Sequence, residues 1–387
     1  MRLATWLLVA GLASSQAWCA EVVDTARPGQ RPPVGSDEDE LWYAMERAER
    51  ELQQHPQLVR DPALNAYVRG VACKVAGDHC ADMRVYLVAQ PWFNASMAPN
   101  GMMVVWTGAL LRFQDEAELA LVLGHEVAHF RERHSLQQWR KAKNTSALVG
   151  SISLLAFGGG AGTAGYLANF LGVAGLSKFS RDAERESDRL GFAAATRQGY
   201  ESAAGARLWQ RMKDEEDARR YGRPIPVFAS HPRTTERLAD VQAAALAHGA
   251  GGEAGRDAYR AAVRPFLAQW LEGELSRRMY DTSVRVIGDL AALAEPDQAA
   301  LYTFYLGEAV RRRGKDGDSA RAEVLYEEAI GLPNPPAAAY REHGMALRAQ
   351  GDRRGAAAAF RRYLDLDPGA GDAGFVKQYL SEREASP

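Results

Sequence analysis

A helix-rich α+β fold is what this sequence predicts, with one small sheet early in the chain and an all-α repeat region at its end. Three observations carry that expectation. Alanine is abundant and β-branched residues are sparse, a bias that favours helix. Between residues 83 and 106 the helical period gives way to short strand-like runs. The last third of the chain repeats itself at a spacing of 34 residues. A length of 387 residues allows two or three domains, and 47% hydrophobic with 25% charged residues is an ordinary globular balance. The formal net charge of −2 gives no global attraction to nucleic acid or to an anionic membrane.

Residues 1–20 read as a secretory signal. Arg2 supplies the positive start, Leu3 to Leu12 a short apolar run, and Ala13 to Ala20 small residues for cleavage after Ala17 or Ala20. The run is too short to span a bilayer. Cys19 invites lipid attachment, but Trp18 directly before it fits such a site poorly. With the signal removed after Ala20, Cys73 and Cys80 are left. An even count in an exported chain favours a small-loop disulfide, the alternative being two buried thiols. Residues 21–35, with Arg27-Pro28-Gly29 and Arg31-Pro32-Pro33, read as a linker.

Ser36 caps a helix whose stripe is Leu41, Met45, Ala48 and Leu52. Asp61-Pro62 opens a second, which carries Leu64, Tyr67, Val68, Val71 and Val75. Met83 to Val88, Asn94 to Ala98 and Met102 to Trp106 read as strands, the last two joined by the turn Pro99-Asn100-Gly101. Thr107-Gly108 ends the sheet portion. Asp115 then opens a helix containing His125-Glu126-Val127-Ala128-His129. Positions four apart share a helix face, so His125 and His129 point two imidazoles at one ion. Glu126, one residue on, stands beside the same point as a general base. That is the spacing of a zinc-peptidase helix. In such a geometry substrate adds as a strand at a sheet edge, and Asn94-Ala95-Ser96-Met97-Ala98 is the candidate edge, the alternative being an ordinary hairpin.

Residues 144–177 carry no charge and hold two apolar halves of about 11 residues around Gly158-Gly159-Gly160, each short of the roughly 20 needed to span a bilayer. Buried paired helices, or a flap over the site, stand against membrane insertion. Ser180 caps the next helix, on which Glu184 and Asp188 are four apart and face the same way. A carboxylate from this helix completes a two-His, one-Glu metal set, with Asp188 orienting an imidazole. The alternative is a solvated face satisfied by Arg181, Arg185 and Arg189. Further on, His231 and Arg237 can face a cleft as oxyanion stabilisers or substrate contacts, or can be structural.

These motifs together resemble the zinc metallopeptidase family that contains the CAAX prenyl endopeptidases and the β-barrel-assembly-enhancing proteases. The resemblance spans about residues 40–245 in family order. It rests on Asn94 to Gly101, Thr107-Gly108, His125 to His129 with His134, Ser180-Arg181 with Glu184 and Asp188, and His231-Pro232 with Arg237. It implies one zinc ion per chain, held by His125, His129 and Glu184 in a gluzincin-type site. It also implies Glu126 as general base, Asp188 as a supporting acid, and His231 and Arg237 as active-site support. Ser96, Met97 and Asn100 depart from the family's usual strand and turn, which bears on peptide preference. Ser187 stands where the family usually has Ala.

In the last third Gly317-Asp318 pairs with Gly351-Asp352, Ala322 with Ala356, Tyr326 with Phe360 and Leu332 with Leu366. This resembles tetratricopeptide repeats, whose neighbours must stack to bury their faces. The expected organisation is a signal at 1–20, a linker at 21–35, a zincin-type metallopeptidase domain at 36–248 and a repeat region at 256–382. The expected function is a periplasmic zinc endopeptidase acting on unfolded or misassembled envelope proteins. Its repeats would recruit substrate or the outer-membrane assembly machinery, with peripheral membrane contact and no nucleic acid. The other expectation is a chaperone or adaptor in outer-membrane assembly whose protease activity is secondary.

Overall fold

The computed structural model describes residues 25–143, 179–219, 231 and 235–384. The signal segment 1–20, the charge-free stretch 144–177 and the turn at Pro232 lie outside the described residues. The first half contains α1 (Asp37–Gln53), α2 (Pro62–Ala76), β1 (Arg84–Val88), β2 (Ala95–Met97) and β3 (Met102–Trp106). They are followed by α3 (Thr107–Arg112), α4 (Glu116–Arg131) and α5 (His134–Lys143). Beyond residue 179 come α6 (Arg181–Arg197), α7 (Ala204–Ala218), α8 (Thr235–His248), α9 (Arg256–Val263) and α10 (Leu267–Ser276). The chain ends in α11 (Tyr280–Ala292), α12 (Pro296–Arg313), α13 (Asp318–Gly331), α14 (Ala337–Ala349), α15 (Arg353–Leu366) and α16 (Ala373–Glu384).

The helix starts follow their capping residues. Ser36, Asp61, Asp115 and Ser180 each accept a backbone N–H from three residues on, opening α1, α2, α4 and α6. Helix α3 was not expected. Its six residues are all buried, so no polar face marks a period and the segment reads as the tail of a strand. Residues 25–35, read as a linker, lie in turns against the body. Ala26 N donates to Arg131 O at 2.8 Å and Gly29 N to Asp82 Oδ1 at 2.9 Å. Cys73 and Cys80 are bonded, tying α2 to the 3-10 turn Gly77–Asp82.

The sheet has the order β1-β3-β2. Strands β1 and β3 run parallel from Arg84↔Met102 to Val88↔Trp106, a pairing the sequence did not indicate. Strand β2 joins β3 as the expected antiparallel hairpin, Ala95↔Val105 to Met97↔Met103. All of β3 is buried, while β2 occupies an outer position and packs on α4. The hairpin turn requires Gly101. Its φ is +86°, and a Cβ there would lie 2.1 Å from the carbonyl oxygen of Asp82.

One apolar core runs from Leu64 through Ala95, Leu123 and Ala195 to Trp270, Ile287 and Ala309. Helices α9 to α12 therefore pack into the same core as the sheet, while α13 to α16 pack in separate clusters. A buried charge cluster clamps the same junction. Arg112 on α3 donates to Glu215 on α7 at 2.6 Å and to Glu274 on α10 at 2.8 Å, and Arg277 pairs with Glu274 at 2.6 Å. Further on, two helix pairs cross through small residues. Gly307 on α12 faces the ring of Tyr326 on α13, and Gly344 on α14 faces the ring of Phe360 on α15.

Buried Glu49 on α1 holds the hairpin turn in place. It accepts from Arg84 Nε at 2.5 Å, Tyr86 Oη at 2.8 Å and Asn100 Nδ2 at 2.9 Å. Burial raises its pKa, but these donors, Arg84 first, outweigh burial and hold it below the ordinary 4.5. A depressed pKa contributes stability that is present above the unfolded value and lost as pH falls through the folded one. Glu49→Gln is therefore expected to cost about 2 kcal/mol at pH 7. The gap to the wild type should close below about pH 4. Denaturant melts across that range check it, and a gap independent of pH would remove Glu49 as the cause.

Candidate metal centre

The site forms where α4 crosses α6, and glycine permits the crossing. A Cβ on Gly191 would lie 2.6 Å from the backbone nitrogen of His125, and one on Gly124 would lie 3.1 Å from the carbonyl oxygen of Gly191. Two helix backbones thus touch next to the first histidine. Glu184 lies seven residues, about two turns, before Gly191 on the same buried face. The close crossing brings its carboxylate against the two imidazoles of α4.

His125 Nε2 and His129 Nε2 face each other at 3.0 Å. Glu184 Oε1 lies 3.6 Å from His129 Nε2, and Glu184 Oε2 lies 3.7 Å from His125 Nε2. His231 adds its Nδ1, 3.3 Å from His125 Nε2 and 3.1 Å from Glu184 Oε1. Among the described residues these four form the group able to hold a metal, with one ligand atom from each lying within 4.8 Å of the others. Ligand atoms at about 2.0–2.1 Å on a tetrahedral zinc stand roughly 3.3 Å apart, so both the donor types and their spacing fit that ion. Burial holds His129 well below the ordinary histidine value, keeping its imidazole neutral with a lone pair to give. The ring of Phe179 stacks on His129 at 4.0 Å, a contact the sequence did not indicate.

The carboxylates divide by environment. Asp188 Oδ1 lies 2.9 Å from His125 Nδ1, and Arg237 grips both Asp188 oxygens at 2.7 and 2.8 Å. Burial opposes ionisation of Asp188, but Arg237 and His125 outweigh it and hold the carboxyl well below the usual range. Arg237 Nη1 also lies 2.5 Å from Glu184 Oε2, and its guanidinium sits over the Trp209 ring at 4.9 Å. All three Arg237 nitrogens therefore serve the carboxylates of α6. Glu126 differs. It is buried, its Oε1 lies 3.7 Å from His231 Nε2, and burial is the main cause that pushes its carboxyl above the usual range.

The sequence-predicted residues otherwise fall as follows. Ala95 and Met97 are buried and Ser96 is half-buried on β2, while Asn94 passes its carbonyl to Trp106 N. Next to His125 and Glu126 lies a mostly apolar pocket of about 630 Å³ of empty space, open to solvent, lined by Leu121, Val122, Phe192, Leu208, Trp209 and Met212. Sequence reasoning missed this pocket, because its walls come from four helices, α4, α6, α7 and α8, far apart in the chain. It also missed the glycine pair, whose only signal was a small residue beside each motif.

A model of peptidase family M48 matches residues 58–245, which hold every residue of this cluster. Residues 58–245 thus match peptidase family M48. Among curated proteins it is 30% identical over 203 residues to the β-barrel assembly-enhancing protease of Yersinia pestis, covering 50% of this chain and 41% of that one. The protein of the same name from Escherichia coli strain K12 is 28% identical over 204 residues, with 50% and 41% covered. The mitochondrial metalloendopeptidase OMA1 of Schizosaccharomyces pombe is 29% identical over 173 residues, with 43% of this chain and 48% of that one covered. The chain spans less than half the length of each of these three relatives.

The helix crossing gives a direct test. Gly191→Ala places a methyl group against backbone, where no side chain can yield. It should cost about 1–3 kcal/mol. It should also lower the amount of metal retained through gel filtration. Wild-type melting and metal content in the alanine variant would show that the crossing has room to spare.

Proposed function

We propose that this chain is an exported zinc metalloendopeptidase that hydrolyses peptide bonds of unfolded or misassembled envelope proteins. The observation that carries the reading is the convergence of His125, His129 and Glu184 with Glu126 beside them. Zinc held by these residues supplies Lewis acidity, which activates water and polarises a carbonyl. Asp188 fixes the His125 ring through Nδ1, and Arg237 fixes Asp188 in turn. Glu126 takes a proton from the attacking water and delivers it to the leaving amine. A carboxyl raised by burial is suited to both halves of that transfer. Substrate adds as a strand along the outer edge of β2, bonded through its backbone across Ala95 to Met97. The apolar pocket takes a large apolar side chain next to the scissile bond.

Export and periplasmic placement are supported by the signal pattern in residues 1–20 and by the Cys73–Cys80 bond, which suits an oxidising compartment. Among the described residues no helix is long and apolar enough to cross a membrane. The names of two relatives point to β-barrel assembly as the setting. In this reading residues 36–248 are the peptidase domain. Residues 256–382 are a tetratricopeptide-like region that recruits substrate or assembly partners.

One observation favours a second reading, in which the chain acts mainly as a chaperone or adaptor. With zinc bound, His231 would be a fourth protein donor beside His125, His129 and Glu184, and four protein ligands would leave no position for water. Cleavage then requires His231 to withdraw. Glu126→Gln separates the two readings. It should retain zinc and lower cleavage of an unfolded protein by at least about 100-fold. If the purified variant cuts at the wild-type rate, the mechanism is wrong. If it complements a deletion strain as well as the wild type does, the adaptor role is the main one.

A further inference from the structure

The two metal-side histidines of α4 are held by different devices, and the second device is assigned no role by the motifs above. His125 Nδ1 meets the Asp188 carboxylate directly. His129 Nδ1 meets another imidazole, His134 Nδ1, at 2.9 Å. His134 is buried at the start of α5, and its Nε2 lies 3.3 Å from Glu186 Oε2 on α6. Glu186 is half-exposed.

Two ring nitrogens at 2.9 Å must be one donor and one acceptor. His129 Nε2 faces His125 Nε2 and Glu184, so it must keep its lone pair bare to bind a metal. The proton of a neutral His129 then sits on Nδ1 and is donated to His134 Nδ1. His134 in turn carries its proton on Nε2, aimed at Glu186. Ser187 Oγ also approaches His134 Nδ1, but at 3.4 Å it is the more distant contact. The order of bonds is therefore His129 to His134 to Glu186, with every donor matched to an acceptor.

We propose that His134 is a positioning residue that sets the tautomer and ring orientation of His129, with Glu186 holding His134 in turn. This rests on the zinc reading of the site. A histidine ligand normally passes its second nitrogen to a carboxylate, carbonyl or water, and losing that partner typically lowers metal affinity 10–100-fold. Here an imidazole is interposed, and it carries the restraint from the buried ligand out to a partly exposed carboxylate.

The test uses the full chain and zinc affinity measured by chelator competition, with the melting temperature of the metal-free protein reading packing separately. Asn at 134 places an amide oxygen close to where Nδ1 stood, so His134→Asn should keep affinity near the wild-type value. His134→Leu removes the acceptor and should lose 10–100-fold in affinity. Ser187→Ala should change nothing. Equal affinity in wild type and His134→Leu overturns the proposal, as does an equal loss in the Asn and Leu variants. Should the Leu variant not fold, the ¹⁵N shifts of His129 and His134 in the zinc-loaded wild type decide. A protonated His129 Nδ1 facing an unprotonated His134 Nδ1 supports the assignment, and a protonated His134 Nδ1 overturns it. A wild-type chain that binds no zinc sinks the zinc reading itself, whereas zinc held as tightly by His134→Leu sinks only this inference.

Discussion

The contact of two helix backbones at Gly124 and Gly191 is the constraint on which the rest of the site depends. Helices normally pack 8–10 Å apart, separated by side chains. Here a single methyl group on Gly191 would collide with the backbone of His125. The closeness lets a short glutamate on one helix reach the imidazoles of the other. It also places Asp188, one turn on from Glu184, against the outer nitrogen of His125. Gly191, on the buried face of α6, is thus part of the metal centre's construction although it does not face the ligand atoms.

Burying so much charge requires that each group be matched. Arg237 is the balancing cation for two carboxylates of α6, and it is steadied by Trp209. For Glu126, burial outweighs the pull of His231, His125 and Arg237, and its carboxyl rises. Two carboxylates with opposite shifts, Asp188 down and Glu126 up, therefore share one buried site, Asp188 against His125 and Glu126 near His231. One is fixed as an anion that orients and the other is poised to exchange a proton. A similar principle operates away from the site, where Arg112 and Arg277 meet Glu215 and Glu274 between α3, α7 and α10. That cluster joins the wall of the apolar pocket, through α7, to the helices that begin the C-terminal region.

Local signals were legible wherever chemistry is local. Capping residues Ser36, Asp61, Asp115 and Ser180 marked helix starts because a side-chain oxygen three residues ahead of an N–H is a contact within one turn. Pro99-Asn100-Gly101 marked the hairpin for the same reason. Helix α3 escaped because burial on every side erases the period that reveals a helix. The parallel pairing of β1 with β3 escaped because nothing within either strand records its partner. Glu49 escaped too. A glutamate in an amphipathic helix reads as solvent-facing until the hairpin turn is seen resting on it.

The sequence by itself determined the ligand types, their helical spacing, the helix starts and the small residues beside each motif. These follow from geometry within a few residues along the chain. Only the tertiary structure decided that Glu184 meets His125 and His129, that Arg237 serves Asp188 and Glu184, and that His231 enters as a further donor. Those contacts join positions 47 to 106 residues apart. No local rule encodes them, because they depend on how closely two helices are allowed to approach.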